Sequence, residues 1–122
     1  MLIQEHQADG TLQIEAYRPG QLTVNGHTLS EAVLIDTGHT LRPAGLAAPA
    51  DLQAEHFDAA LAAKPEIILI GTGPKQQFIH PRLTARAAAV GVGVECMSTE
   101  AACRTHMLLQ SEGRRIWAWL WP

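Results

Sequence analysis

Two groups of residues in this chain of 122 carry side chains and spacings suited to chemistry. The first is Gly71-Thr72-Gly73, followed by Pro74-Lys75. A glycine-flanked hydroxyl, loop amides and an ammonium can converge on one negative charge. The second is Cys103 with His106 three residues on, an imidazole within helical reach of a thiol. Neither set is complete. A dinucleotide fingerprint needs a third glycine where Gln76 stands, and Pro74 removes a backbone donor. Lys75 lacks the spacing of a P-loop. No third group is evident to orient His106, and Cys96, Cys103 and His106 do not match a common zinc spacing. Packed thiols are the default for such cysteines. The sequence thus calls for no cofactor and no metal, and leans away from an enzyme. A catalytic version would need a general base, for which Glu95 and His80 are the candidates.

Ile67-Ile68-Leu69-Ile70 predicts a buried strand that ends at Gly71-Thr72-Gly73. Loops at such strand ends are where open α/β sheets place ligands. A second strand, Val92 to Met97, leads through Ser98 or Thr99 as cap into a helix ending near Gln110. If the two strands are parallel neighbours, Thr72, Gly73, Lys75, Glu95, Thr99 and Arg104 form a candidate site for a small anionic or organic ligand. The plainer reading of Gly71-Thr72-Gly73 is a structural turn. Along the helix, Ala101, Ala102, Thr105, Leu108 and Leu109 share one apolar face. Thr105 then bonds back to the Ala101 carbonyl or lines a pocket. Glu95 and Arg104 are placed to pair. Arg82 and Arg86, four apart on a preceding helix, repel mildly; solvent or an anionic partner relieves that.

The elements that position these residues follow from pattern. Thr11 to Tyr17 alternates, with Leu12, Ile14 and Ala16 on one face. Asn25-Gly26 between Leu22-Thr23-Val24 and His27-Thr28-Leu29 predicts an N-terminal β-hairpin with a type I′ turn. Val33 to Asp36 reads as a strand and 37–50 as a loop. Helices are expected over Asp51–Ala63, capped by Asp51, and over Pro81–Val90. Arg114 to Trp121 is the last strand. Strands first, then α-β-α-β-α-β, predict one α/β domain over 1–122, ordered from about 11 to 121, with a central sheet between helices.

The last strand holds Trp117, Trp119 and Trp121 on one face and Ile116, Ala118 and Leu120 on the other. A strand apolar on both faces belongs inside a covered sheet. Three tryptophans near a terminus also suit an interface. Core and interface are both open readings of that stripe.

Composition narrows the classes. Residues 1–63 carry two basic and eight acidic groups, and 64–122 carry seven basic and four acidic. A net charge of −3 argues against general nucleic-acid binding, while leaving room for a local anion site in the second half. No apolar run approaches the roughly 20 residues of a transmembrane helix. Met1 to His6 lacks the pattern of an export signal, so reduced cysteines and a cytoplasmic location are expected.

Ile67 to Gly73, Gly93 to Thr105 and Glu112-Gly113-Arg114-Arg115 together resemble a family of small conserved domains of unassigned function. That family includes the mitochondrial assembly factor 3 of respiratory complex I and the adipogenesis-associated domain protein. The similarity runs from about Leu12 to Leu120. It implies a three-layer α/β fold around a mixed sheet, no established enzyme activity, and a role in assembling respiratory complexes for its distant eukaryotic members. Two functions follow for this chain: a non-catalytic interaction or assembly module with a protein partner or self-association, or a small-molecule site at the strand ends.

Overall fold

A central strand pair organises the computed structural model, which describes residues 12–122. The reading of Met1 to His6 and the start of the first strand at Thr11 lie outside those residues. Strand β1 (Ile14–Arg18) turns into β2 (Gln21–Val24), which pairs antiparallel with β3 (His27–Leu29). The β2–β3 turn has Asn25 at φ 48° and Gly26 at φ 82°, the two positive angles that a type I′ turn requires. The register of β1 against β2 shifts between Ile14 and Ala16. This bulge breaks the alternation, so Ala16 is exposed and Tyr17 takes the inward side instead.

The second sheet holds five strands in the order β5-β4-β8-β6-β7. These are β4 (Val33–Ile35), β5 (Leu41–Pro43), β6 (Ile67–Gly71), β7 (Gly93–Met97) and β8 (Ile116–Leu120). β6 lies between β7 and β8 and is parallel to both, while β4 is antiparallel to β8 and β5. The sheet is therefore mixed. β5 corrects the expectation of an uninterrupted loop over 37–50. Its signal is only three residues long and ends in a proline, too short for periodicity to show.

Helix α1 (Ala54–Ala62) begins later than Asp51. Asp51 instead closes a 3-10 turn, Pro49–Asp51, its carboxylate accepting from the Ala48 amide at 3.0 Å. The amide of Gln53 donates to His56 Nδ1 at 2.8 Å across the first turn of α1. Helix α2 (Pro81–Ala88) is capped by His80, whose Nδ1 accepts from the Arg82 amide at 3.1 Å. Helix α3 (Thr99–Ser111) is capped by Ser98, whose hydroxyl accepts from the Ala101 amide at 3.3 Å.

Strand alternation sorts the core into two layers. Ile68, Ile70, Trp117, Trp119 and Trp121 pack with Phe57 and Ala60 of α1 and Leu83 and Ala87 of α2. Leu69, Ile116, Ala118 and Leu120 face the other way, onto Ala102 and Cys103 of α3 and Leu22, Val24 and Leu29 of the small sheet. The chain steps from β6 out to β7 through α2, then back across β6 to β8 through α3. Right-handed crossovers taken in opposite directions put their helices on opposite faces, as seen here.

α3 is rotated from its expected orientation. Its buried residues are Thr99, Ala102, Cys103 and His106, while Leu108 is 59% exposed. A cysteine and a histidine count poorly as apolar in a periodicity reading, so the stripe through Leu108 looked stronger than it is. Thr105 does not bond back to Ala101 in the structure; its hydroxyl lies 3.6 Å from the Met97 sulfur.

Candidate functional site

Because β6 and β7 are parallel neighbours whose chains leave toward opposite faces, their C-terminal ends form a topological switch point. Thr72, Gly73 and Thr99 do come together there. What fills the crevice is their own hydrogen bonding. The Thr99 hydroxyl accepts from the Gly73 amide at 2.7 Å and donates to the Trp121 carbonyl at 2.5 Å. The Thr99 amide donates back to the Gly73 carbonyl at 2.8 Å. The Thr72 amide donates to the Met97 carbonyl at 2.9 Å, and that of Trp121 to the Gly71 carbonyl at 2.8 Å. The Thr72 hydroxyl accepts from the Gln77 amide at 2.9 Å and donates to the Lys75 carbonyl at 2.8 Å.

Packing enforces this closure. A Cβ on Gly71 would stand 2.9 Å from Ala102 Cβ and from Leu120 Cδ2, and 3.0 Å from the Thr99 hydroxyl. Glycine at this position lets α3 lie directly on the strand end. Thr72 and Thr99 are buried; their hydroxyls are spent on backbone groups, and the Gly73 amide on the Thr99 hydroxyl. Thr99→Val would keep the shape but strand the Gly73 amide and the Trp121 carbonyl. Leaving buried polar groups unpaired costs about 1–3 kcal/mol, which a lowered urea midpoint should reveal. An unchanged midpoint would show that this closure adds nothing to stability.

The other candidate residues stand apart. Lys75 is exposed and contributes its carbonyl, through Thr72. Glu95 is exposed in mid-strand, in register with Leu69. Arg104 pairs with Glu100 at 3.9 Å, one turn back on α3, rather than with Glu95. It borders a groove with Ile14, Tyr17, Cys103 and Met107 on the small-sheet side. A single site over all six residues is therefore not assembled by these contacts.

Trp117, Trp119 and Trp121 are 6%, 3% and 5% exposed. The stripe is core of this chain, which corrects its reading as an interface: α1 and α2 cover the face that strand periodicity alone left open. The indole N–H of Trp121 donates to the Leu46 carbonyl at 3.0 Å. The cysteines are free thiols. Burial pushes Cys103 up to about 12 and raises Cys96 as well, so neither is activated as a nucleophile. Among the described residues no three His, Cys, Asp or Glu side chains gather as a metal site, and no helix is long and apolar enough to cross a membrane.

Two features escaped the pattern reading. Phe78 is 81% exposed on the β6–α2 loop, beside a groove with Leu52, Ile79 and Leu83. It is the one aromatic in an otherwise polar run, which is a readable signal. His106 is fully buried with both ring nitrogens unpaired among the described residues, and its ring meets that of His39 edge-on at 5.9 Å. No local signal marks that contact, since the two residues lie on separate elements.

Fold and site together define a small three-layer α/β domain with a mixed sheet and a switch point closed by its own hydrogen bonds. The chain belongs to the family described as protein of unknown function (DUF498/DUF598), whose family model matches residues 14–121. A crystal structure of a Bordetella parapertussis protein is similar with a TM-score of 0.84 and 35% identity, covering 95% of this chain and 99% of that one. An uncharacterised protein of Rhodobacter capsulatus is 33% identical over 113 residues, 93% of this chain and 86% of its own length. The 13 kDa major membrane protein of Francisella tularensis subsp. holarctica is 40% identical over 65 residues, 53% of each chain. The NADH dehydrogenase (ubiquinone) 1 alpha subcomplex assembly factor 3 of Mus musculus is 35% identical over 74 residues, which span 59% of this chain and 40% of its own length.

Proposed function

We propose that this chain is a non-catalytic interaction module with an assembly role, of the kind named in its assembly-factor relatives. The observation that carries this reading is the closed switch point. At the position where an α/β sheet offers amides and hydroxyls to a ligand, Thr72, Gly73 and Thr99 offer theirs to one another and to Met97, Lys75, Gln77 and Trp121. A preorganised ligand site keeps such groups free and convergent; a scaffold uses them to hold its loops. The relatives named as complex I assembly factors supply the direction of the role.

Native mass spectrometry of the protein purified gently from its own host tests this. A stoichiometric protein partner or a defined self-association is expected. A bound small molecule without a protein partner, or a bare monomer, would overturn the reading.

A further inference from the structure

We propose that the groove between the β6–α2 loop and the turn before α1 docks an acidic, hydrophobic segment of a partner protein. This rests on the interaction-module reading and gives it a place and a partner chemistry.

The groove measures about 200 Å³, with Leu52, Ile79 and Leu83 as its buried apolar lining. Small-molecule pockets run roughly 300–1,000 Å³, so this one suits a single anchoring side chain. Phe78 lines it and is nonetheless 81% exposed. That exposure is held in place from both sides. Gln77 is tied to Thr72 by its amide at 2.9 Å and its side-chain nitrogen at 3.3 Å, and Ile79 is buried. The loop therefore cannot turn Phe78 inward without breaking an anchor. An aromatic knob beside a hole of side-chain size is how interface hot spots are built.

Charge selects the partner. Arg82 and His80 line the groove and no carboxylate does. The carboxylate of Asp51, on the neighbouring turn, is directed at the Ala48 amide. Arg86, one turn along α2, is held by Asp58 through contacts of 2.8–3.1 Å. Arg82, in the first turn of α2, forms no ion pair among the described residues, and neither does Lys75 on the β6–α2 loop. In a chain of net charge −3, the groove is lined by a guanidinium without an ion pair among the described residues and by no carboxylate. A guanidinium left free beside an apolar hole pairs best with a carboxylate adjacent to an apolar anchor.

The test is selection of a displayed random-peptide library on the full chain, with Phe78→Ser and Arg82→Glu as comparison baits. Both positions are exposed, and an unchanged urea midpoint confirms that the variants fold. Enriched peptides should carry a large apolar residue next to Asp or Glu. Each substitution should weaken the selected peptides by about tenfold or more, the loss of one strong contact, and salt should weaken binding to the parent chain more than to Arg82→Glu. No enrichment, enrichment of basic peptides, or indifference to both substitutions would overturn the proposal. If the host partner is retained equally by the parent and both variants in native mass spectrometry, this site falls and the interaction module stands. If the parent retains no partner and does not self-associate, the module reading itself fails.

Discussion

Trp119→Ala is expected to remove about 3–5 kcal/mol of folding stability, the usual result of truncating a buried aromatic. The domain as a whole has on the order of 5–15 kcal/mol to lose. Trp119 sits in β8 between Leu34 of β4 and Ile70 of β6, so its loss opens a void in the middle of the sheet. Its ring lies 5.3 Å from that of Phe57 and 6.0 Å from that of Trp117, the latter pair edge-on. Those contacts join α1 to the sheet, so the void would loosen the helical layer too. Urea denaturation should show a large fall in midpoint for Trp119→Ala and a much smaller one for Trp119→Phe, which refills most of the space. Unchanged stability with altered self-association would return Trp119 to the interface and refute its place in the core.

That outcome was half legible. Ile116-Trp117-Ala118-Trp119-Leu120 reads as a strand covered on both faces, and so it is. Which layer covers the tryptophans depends on the direction of the β6–α2–β7 crossover, a property of topology with no local signature. The hairpin was legible because Asn25-Gly26 has few conformational alternatives. β5 was not, because three residues bounded by proline gain their strand character only from pairing with β4. The same division runs through the candidate site. The meeting of Thr72, Gly73 and Thr99 followed from two strands ending in small and hydroxyl residues. That the Thr99 hydroxyl is spent on the Trp121 carbonyl depends on the C-terminal strand arriving alongside β6, whereas the bond from Thr72 to the Lys75 carbonyl is local to the loop. Arg104 pairs with Glu100, four residues away on the same helix, a nearer partner than the Glu95 that the sequence also offers.

His106 makes stability depend on pH in a direction that its burial dictates. Burial pushes its imidazole down to about 4, with the neighbouring His39 ring adding to the shift, from 6.5 in the unfolded chain. Above pH 6.5 the group is neutral in both states and contributes no pH-dependent penalty. As pH falls below 6.5 the unfolded chain takes up a proton that the folded core refuses, and stability is lost until the folded state also protonates near 4. At about 1.4 kcal/mol per unit, the loss across that window is about 3 kcal/mol. His39 is also lowered by its own burial, opposed by Asp36, and adds in the same sense. The two nitrogens of His106 have no hydrogen-bond partner among the described residues, so little polar bonding is given up by replacing the ring with a hydrocarbon. His106→Leu is therefore expected to retain most of the stability at pH 7.5 and to flatten the fall between pH 6.5 and 4. Urea midpoints measured across that range for both proteins decide the matter: parallel slopes would mean that His106 is already paired or hydrated in the folded protein, and that the acid sensitivity belongs to other groups.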